Sequence, residues 1–357
     1  MADCLRRPNH RYHDPLALIW LRCAERIGFR VRRTPEVYAS ADGRGTISIG
    51  TDEILDPDDS LAQMIFHELC HALVEGEAGW RQPDWGLGNA VGKDPWREHA
   101  CLRVQAYLAD QVGLRRFFAP TTDFRVTFWD ALPADPLATV DGDRRERSCV
   151  AARIALWRAE RPPWAPHLKE ALAASAALAA VVAPVAETAA PDPWPSLWTT
   201  ADAPPPRHPA GHAPLAPYHG EHGCADCAWG FGDRRGWHCR HAPRLRLPRE
   251  APACTRWEPA AELNCETCAA CCREAYQSVE VAAREPVNVR HPDLVVRAGR
   301  RRTLRRVGSR CAALAGDGGP AEPYRCTIYE DRPRSCRDFL RGGPHCLDAR
   351  RRVGLSL

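Results

Sequence analysis

The chain has 357 residues, 45% of them hydrophobic, and a formal net charge of +4. This length excludes one small domain and is typical of two or three units, and the apolar content is sufficient for real cores. Only Lys93 and Lys169 are lysines, so 47 of the 49 basic residues are arginines. That bias is typical of a GC-rich genome, and with so mild a charge it does not indicate nucleic-acid binding.

The hydrophobic pattern predicts helices and strands along the first half of the chain. In chain order these are a helix over 12–28, strands over 29–33 and 46–50, and helices over 60–76, 96–111 and 144–160. An alanine-rich helix follows, and ten prolines between 184 and 217 then predict an extended linker. Ser60 and Gln63 fit a capping box for the second of these helices, which we expect to end near Gly76.

We expect neither a signal peptide nor a membrane-spanning segment. Residues 1–10 are polar and charged and contain no apolar stretch of the kind found in signal peptides. The apolar run 171–183 is mostly alanine, and we expect it to be too short and too weakly hydrophobic to span a bilayer. We therefore expect a cytoplasmic protein with no membrane partner. Thiols stay reduced there, and clustered cysteines are more often metal ligands than disulfides.

The 17 cysteines are unevenly distributed, with five before residue 224 and twelve from Cys224 to Cys346. Combined with the predicted elements, this gradient predicts an α+β multidomain protein. We expect an α+β domain over 1–119, a helical segment over 120–183 and the linker over 184–217. Two small, irregular, metal-stabilised cysteine-rich units over 218–260 and 261–357 complete the chain.

An HExxH motif, His67-Glu68-Leu-Cys-His71, lies within the second predicted helix, over 60–76. A spacing of four residues places both imidazoles on one helix face, where they can bind a single Zn²⁺ ion. Glu68 lies beside them and can deprotonate a metal-bound water. Glu98, at the start of the next helix, is the best third ligand, and His99 is its rival. The alternative is that both histidines are ordinary polar residues of a half-buried helix.

Two histidines and a downstream glutamate form a ligand set that resembles the gluzincin branch of the zinc peptidases. The resemblance implies a zincin-like domain, with zinc on the motif, Glu68 as general base and a protein or peptide substrate. It also implies that the substrate lies along the edge of the strand at 46–50. The sequence does not identify the residue that would stabilise the oxyanion, for which Tyr107 and His99 are candidates. Cys70 and Cys101 are expected to be small buried apolar residues rather than ligands.

A first group of cysteines opens with the knuckle Cys224-Ala-Asp-Cys227. Cys239 and Cys254 can complete a tetrahedral set of four thiolates, and a unit of this size would hardly fold without metal. Nearby histidines could each substitute for one cysteine: His222, His238 and His241. Alternatively, these cysteines extend the group that follows.

The second group is Cys265-x-x-Cys268-x-x-Cys271-Cys272, followed by Cys311, Cys326, Cys336 and Cys346. Four thiols within eight residues would be an oxidation liability if they were free, so we expect a metal site. Eight thiolates exceed the needs of one zinc ion. Two zinc ions, or one iron–sulfur cluster with spare cysteines, would use them better.

This pattern, with Cys-x-Ile-Tyr-x-x-Arg-Pro-x-x-Cys-Arg-x-Phe over 326–339, resembles the CxxCxxCC (YkgJ-type) family of zinc- or iron-chelating domains. The same cluster occurs in flagellin lysine methylases, which raises the prospect of an iron–sulfur centre. The resemblance covers about 265–352. It implies six principal ligands and two further ones, Cys311 and Cys346. The six are Cys265, Cys268, Cys271, Cys272, Cys326 and Cys336. Arg332 and Arg337 would orient carboxylates, offset thiolate charge or form a structural salt bridge.

Residues 297–310 contain seven arginines and could contact a nucleic acid or an acidic partner. No aromatic residues are interleaved for base stacking, so a solvated basic hairpin is favoured. The sequence as a whole predicts a metal-binding protein in which a zinc- or iron-chelating domain is fused to a zincin-like domain. The alternative is a working zinc metallopeptidase with a cysteine-rich recognition or sensing tail.

Overall fold

The computed structural model describes residues 9–10, 12–87, 94–121, 124–139, 145–186, 196–201, 207–212 and 222–357. The chain forms two compact units, Met1–Leu132 with Arg158–Pro204, and Pro133–Trp157 with Pro205–Leu357. This division differs from the predicted one, because the helical segment is shared between the units and both cysteine-rich segments belong to one unit. Part of the predicted linker lies outside the described residues.

Among the residues that the structure describes, five α-helices precede the cysteine-rich segments: α1 Pro15–Ile27, α2 Leu61–Trp80, α3 Pro95–Asp110, α4 Arg147–Ala159 and α5 His167–Ala186. The first unit also contains a three-stranded sheet of β1 Arg30–Thr34, β2 Ala39–Ala41 and β3 Thr46–Gly50. The strand order is β1-β3-β2, with β3 parallel to β1 and antiparallel to β2. The expectation of a substrate-binding edge at 46–50 is therefore wrong, because both edges of β3 are already paired.

The ends of α2 follow the local sequence. The Ser60 side chain accepts from the Gln63 N–H, and the Gln63 side chain accepts from the Ser60 N–H, which is the expected capping box. At Gly76 the backbone leaves helical geometry, with φ at 64°, and the helix then continues to Trp80. A side chain at Gly76 would be strained at this positive φ and would displace the Arg158 guanidinium, since an added Cβ would lie 2.8 Å from its Cζ.

The core of the first unit is an aromatic cluster between helices. The rings of Trp20 and Phe66 lie 4.7 Å apart, and Phe118 lies 5.0 Å from Phe66. The indole N–H of Trp20 donates to Ser175 Oγ at 3.0 Å and so joins α1 to α5. Packing of α1, α2 and α5 around these rings positions α2 and therefore the HExxH motif.

Helix α5 is longer than the apolar run suggested, because it starts at His167 and continues through Pro184. Among the described helices it is the one whose length and composition would allow it to cross a membrane, and 28% of its apolar window is buried. This is weak evidence for a membrane span, since a core helix has the same properties and α5 packs on α1.

The second unit is built from short elements. Its largest sheet is antiparallel, in the order β4-β5-β6, from strands Gly230–Asp233, Gly236–Cys239 and Ala242–Leu247. The other strands pair in twos: β7 Val295–Ala298 with β8 Arg301–Leu304, β9 Arg306–Val307 with β10 Arg310–Cys311, and β11 Leu314–Ala315 with β12 Arg325–Cys326. The helices are α6 Cys265–Cys268, α7 Val287–Arg290, α8 Arg334–Arg337 and α9 Pro344–Arg352. The predicted basic hairpin corresponds to β7 and β8.

The described residues of this unit form three small apolar clusters. They are centred on Trp229 and Leu347, on Val287 and Ile328, and on Ala275 and Ala349. Each cluster includes cysteines among its members. The chain is a mixed α+β protein, and in its second unit the candidate metal ligands are also part of the core.

Candidate metal centres

One set of four thiols, called the Cys265 set, surrounds a single cavity of about 40 Å³. Its members are Cys265, Cys268, Cys271 and Cys346. The left-handed backbone of Ala269, with φ at 43°, ends α6 and turns the Ala270 N–H onto the Cys268 sulfur at 3.4 Å. Burial, followed by the thiols of Cys271, Cys346 and Cys268, raises the pKa of Cys265.

A second set, called the Cys272 set, consists of Cys272, Cys311, Cys326 and Cys336. The first three belong to the apolar cluster of Val287 and Ile328. The Cys311 N–H donates to the Cys272 carbonyl at 2.8 Å, which holds these two segments together. Burial, followed by Cys311, Cys271 and Cys326, raises the pKa of Cys336 to about 11. Four segments distant in sequence therefore bring their thiols together.

The adjacent residues Cys271 and Cys272 belong to different sets. Cys271 packs in the cluster of Ala275 and Ala349, whereas Cys272 packs in the cluster of Val287. Their sulfurs are 3.9 Å apart. A hydrogen bond from the Cys272 thiol lowers the pKa of Cys271 to about 7. The two sets therefore meet at this dipeptide, and Cys271 acts on both of them, since it also raises the pKa of Cys326 and Cys336.

A third set, called the Cys224 set, lines another cavity of about 10 Å³. Its members are Cys224, Cys227, Cys239 and Cys254. The knuckle precedes β4, and Cys239 ends β5. Isolated bridges from Gly223 to Pro252 and from Cys227 to Pro259 bring the loop that contains Cys254 against the knuckle. Burial, followed by Cys227, Cys254 and Cys239, raises the pKa of Cys224 to about 12.

The HExxH motif contributes to a fourth group, at the contact between α2 and α3. The Nε2 atoms of His67 and His71 are 3.0 Å apart, and the Glu98 carboxylate lies 3.6 Å from the first and 3.2 Å from the second. With Cys101 these side chains form the one group, among the described residues, of three or more metal-binding side chains whose ligand atoms all lie within 4.8 Å. The Cys101 sulfur is 3.9 Å from His67 Nδ1 and 3.6 Å from the His67 carbonyl.

The side chains of α2 and α3 interact electrostatically at this group. Burial alone would raise the pKa of Glu98, but His71, followed by His67 and His99, lowers it to about 2. Burial alone would lower the pKa of His71, but Glu98, followed by Glu68 and Glu75, raises it to about 9. Two imidazoles and a carboxylate at one point are a donor set that zinc prefers.

Gln105 is a neighbour of this group that the sequence analysis did not identify. Its Oε1 lies 2.9 Å from His67 Nδ1, and its Nε2 donates to the Phe118 carbonyl. Because a carbonyl can only accept, the amide orientation is fixed, and His67 Nδ1 must be the donor to Oε1. The lone pair of His67 is therefore on Nε2, which faces His71 and Glu98. Gln105 lies seven residues after Glu98 on α3, and this helical spacing could have revealed it.

The proposed general base and oxyanion candidates have other contacts. Glu68 is only 7% exposed, and its Oε2 accepts from the indole N–H of Trp85 at 2.7 Å. His99 stacks on Phe128 with ring centroids 3.9 Å apart, and Tyr107 is buried. Cys70 and Cys101 are fully buried. None of these contacts was visible in the sequence, because each joins residues from different elements.

Comparison with known protein families decides the nature of the C-terminal segment. Residues 264–347 match the family model CxxCxxCC, described as "Putative zinc- or iron-chelating domain". This segment is a metal-chelating domain. The chain is accordingly a metal-binding protein. Neither the curated proteins nor the solved structures contain a match to the chain.

The chelating domain includes all eight cysteines of the Cys265 and Cys272 sets and neither of the other two groups. Of its two predicted arginines, Arg332 faces the thiols and lowers the pKa of Cys326 and Cys336 against the larger effect of burial. Arg337 donates to the Arg332 carbonyl at 2.6 Å.

Arg350 of α9 was not among the functional residues predicted from the sequence. It is part of the Cys265 cavity lining and forms an ion pair with the buried carboxylate of Glu258. Its guanidinium also donates to the Cys268 sulfur, which places a positive charge beside the thiols of that set.

Proposed function

We propose that the chelating domain binds two Zn²⁺ ions, one in the Cys265 set and one in the Cys272 set, and that His67, His71 and Glu98 bind another. The observation that carries the proposal is the division of eight cysteines into two groups of four. Four thiolates form a complete, closed structural zinc site, so two such groups use all eight cysteines without a remainder.

The Cys265 set lines a cavity of about 40 Å³, which has room for a metal ion. Positive charge is also suitably placed, since Arg350 and Arg332 offset the excess negative charge of four thiolates around one divalent ion.

The proposed zinc at the HExxH motif is supported by the convergence of His67, His71 and Glu98. Gln105 holds the His67 ring with its Nε2 lone pair towards the other two side chains. Glu98 is stabilised as a carboxylate, which is the form that binds metal. A zinc ion held there would supply a Lewis acid for polarising a bound carbonyl or water. The Cys101 thiol lies on the Nδ1 side of His67, and we assign it no ligand role.

A second candidate function is zinc-dependent peptide hydrolysis, with the cysteine-rich unit as a recognition or sensing tail. Three protein ligands with an open fourth position are typical of catalytic zinc, and this favours the candidate. Two observations favour metal binding without peptidase activity. Glu68 is engaged with Trp85, and β3 has no free edge for an extended substrate. We rank hydrolysis second for these reasons.

Location in the reducing cytoplasm is part of the same proposal. All twelve cysteines from Cys224 to Cys346 are free thiols, although several of their sulfurs lie close together. Such thiols keep their metals where disulfides do not form.

Elemental analysis of the full chain, purified without oxygen, tests the proposal. We expect zinc, with neither iron nor acid-labile sulfide and with no broad visible absorption. Serine at Cys271 or at Cys272 should each remove one zinc equivalent, and serine at both should remove two. Serine at Cys23, a buried thiol of α1, is the matched control and should remove none. Iron with sulfide, lost when either cysteine is changed, would contradict the two-zinc arrangement.

A further inference from the structure

We propose that Cys224, Cys227, Cys239 and Cys254 bind a separate structural Zn²⁺ ion, and that His208 stabilises the site by donating an N–H hydrogen bond to the Cys224 sulfur. This site lies outside the matched segment 264–347. It is independent of the sites proposed above.

The shape of the site fits one ion. Cys224, Cys239 and Cys254 are at most 8% exposed, and Cys227 is half-buried. The four cysteines line a cavity of about 10 Å³. No three of their sulfurs all lie within 4.8 Å of one another, so a bound ion would draw them closer together. Zinc prefers four thiolates in such a closed setting.

The local backbone is arranged to stabilise thiolates. N–H groups of Trp229 and Gly230 face the Cys227 sulfur, and those of His241 and Ala242 face the Cys239 sulfur. In both cases the donors lie two and three residues after the cysteine, as in a knuckle turn. The pKa of the buried Cys70, by contrast, is raised by burial and by Glu68, with no main-chain donor opposing them. Main-chain N–H donors therefore distinguish the buried cysteines of this set from a buried core cysteine such as Cys70.

His208 is close to this site but is not arranged as a ligand. The Ala210 N–H donates to its Nδ1 at 2.9 Å, so the proton of the neutral ring is on Nε2. That Nε2 lies 3.3 Å from the Cys224 sulfur and is a donor to it. His208 is 5% exposed, which makes the contact a buried one. Outer donors of this kind stabilise metal-bound ligands.

The three histidines that could have replaced a cysteine are also engaged. His238 Nδ1 lies 3.0 Å from the Leu245 carbonyl, and its Nε2 lies 3.2 Å from the Asp233 carboxylate, so both nitrogens face other partners. His241 Nδ1 accepts from Arg256, which leaves the proton on Nε2.

His222 Nδ1 faces Asp226 at 3.5 Å, and its ring stacks on Trp257. His238 and His241 are committed to other partners, and we take the four thiols as the ligand set.

The site also holds a core together. Cys224 and Cys239 pack in one apolar cluster with Trp229, and that cluster includes Leu263 and Leu347 from the two flanks of the chelating domain. An unfilled site would leave thiols at the centre of this cluster. We therefore expect the ion to be needed for the stability of the second unit.

The test uses the full chain, with serine at both Cys227 and Cys254. We expect the loss of one zinc equivalent relative to the unchanged protein and a lower melting temperature, with Cys23→Ser as the control that retains all zinc. His208→Phe should keep the zinc equivalent but release it to a chelator with affinity reduced by roughly 10- to 100-fold. Unchanged zinc content in the double variant would overturn the site, and loss of a whole equivalent in His208→Phe would overturn the outer role of His208.

A second measurement covers the case in which the double variant does not fold. Thiol alkylation of the unchanged protein, followed by mass spectrometry, should show all four cysteines protected together. They should become reactive together after chelation. Equal reactivity before and after chelation would contradict the proposal. Both measurements report a change at the four cysteines of the Cys224 set. Their outcome therefore does not depend on whether the sites in 264–347 bind metal.

Discussion

The side chain of Gln105 fixes the imidazole of His67, because its Nε2 is committed to the Phe118 carbonyl and its Oε1 must accept from His67 Nδ1. Gln105→Leu removes this acceptor, and we expect zinc affinity at the HExxH centre to fall roughly 10- to 100-fold. Gln105→Glu keeps the acceptor but loses the donor to the Phe118 carbonyl, so we expect a smaller fall in affinity than in Gln105→Leu. Competition with a chromogenic chelator measures both, and equal affinity in the leucine variant would exclude the positioning role.

The HExxH centre has a second test, in its own ligands. Glu98→Gln and His71→Ala should each remove one zinc equivalent, whereas Cys101→Ala should remove none, because its sulfur lies on the Nδ1 side of His67. Elemental analysis of the three variants measures this. Loss of zinc in the Cys101 variant would make the cysteine a fourth ligand and the centre a closed one.

Glu68→Gln separates metal binding from hydrolysis. The glutamine can still accept from the Trp85 indole N–H, so we expect unchanged zinc content and little change in stability. If the chain cleaves peptides, that activity should disappear in this variant. Cleavage that persisted in Glu68→Gln would show that Glu68 is not the general base.

Trp85 provides a stability prediction for the same region. Trp85→Phe leaves the buried Glu68 carboxylate without its indole donor, and we expect a loss of about 1–3 kcal/mol in the free energy of unfolding. Trp96→Phe is the matched control, since its indole donates to Asp94 at an exposed position. Urea denaturation measures both, and a similar loss in the two variants would argue against a special role for the buried contact.

A substitution at Gly76 tests how closely Arg158 approaches the kink in α2. Gly76→Ala adds a Cβ at positive φ and 2.8 Å from Arg158 Cζ, and we expect a loss of more than about 1 kcal/mol. Gly299 also has positive φ, at 59°, but has no atoms within 4 Å of the added Cβ. Gly299→Ala therefore measures backbone strain alone, and the difference between the variants in thermal unfolding measures the clash.

Local signals in the sequence were sufficient for the helices of the first unit. The capping box at Ser60 was read from neighbouring residues, whereas the helix expected to end near Gly76 is kinked there and continues to Trp80. The central position of β3 could not be read in this way, because it depends on pairing with β1 and β2 rather than on the strand itself. Long-range contacts also explain why the Glu68–Trp85 bond was missed.

The same limit applies to the metal ligands. The cysteines were identified from their spacing, but their division was not, since Cys271 and Cys272 are adjacent and nothing local separates them. His208 lies in a segment predicted as linker, and its role depends on a turn with Ala210 that packs against the knuckle. Residue type indicates which groups can bind metal, whereas pairing between distant segments decides which of them meet.

The Cys271–Cys272 dipeptide has a consequence for how the chelating domain is loaded. Metal bound by the Cys265 set would order the main chain at Cys271 and thereby orient Cys272 in the neighbouring set. The second ion would then meet ligands whose conformational entropy has already been reduced, so the two binding events are coupled with positive cooperativity. In a zinc titration followed by native mass spectrometry, the singly loaded form should stay scarce. The domain would then respond to zinc over a narrower concentration range than two independent sites could.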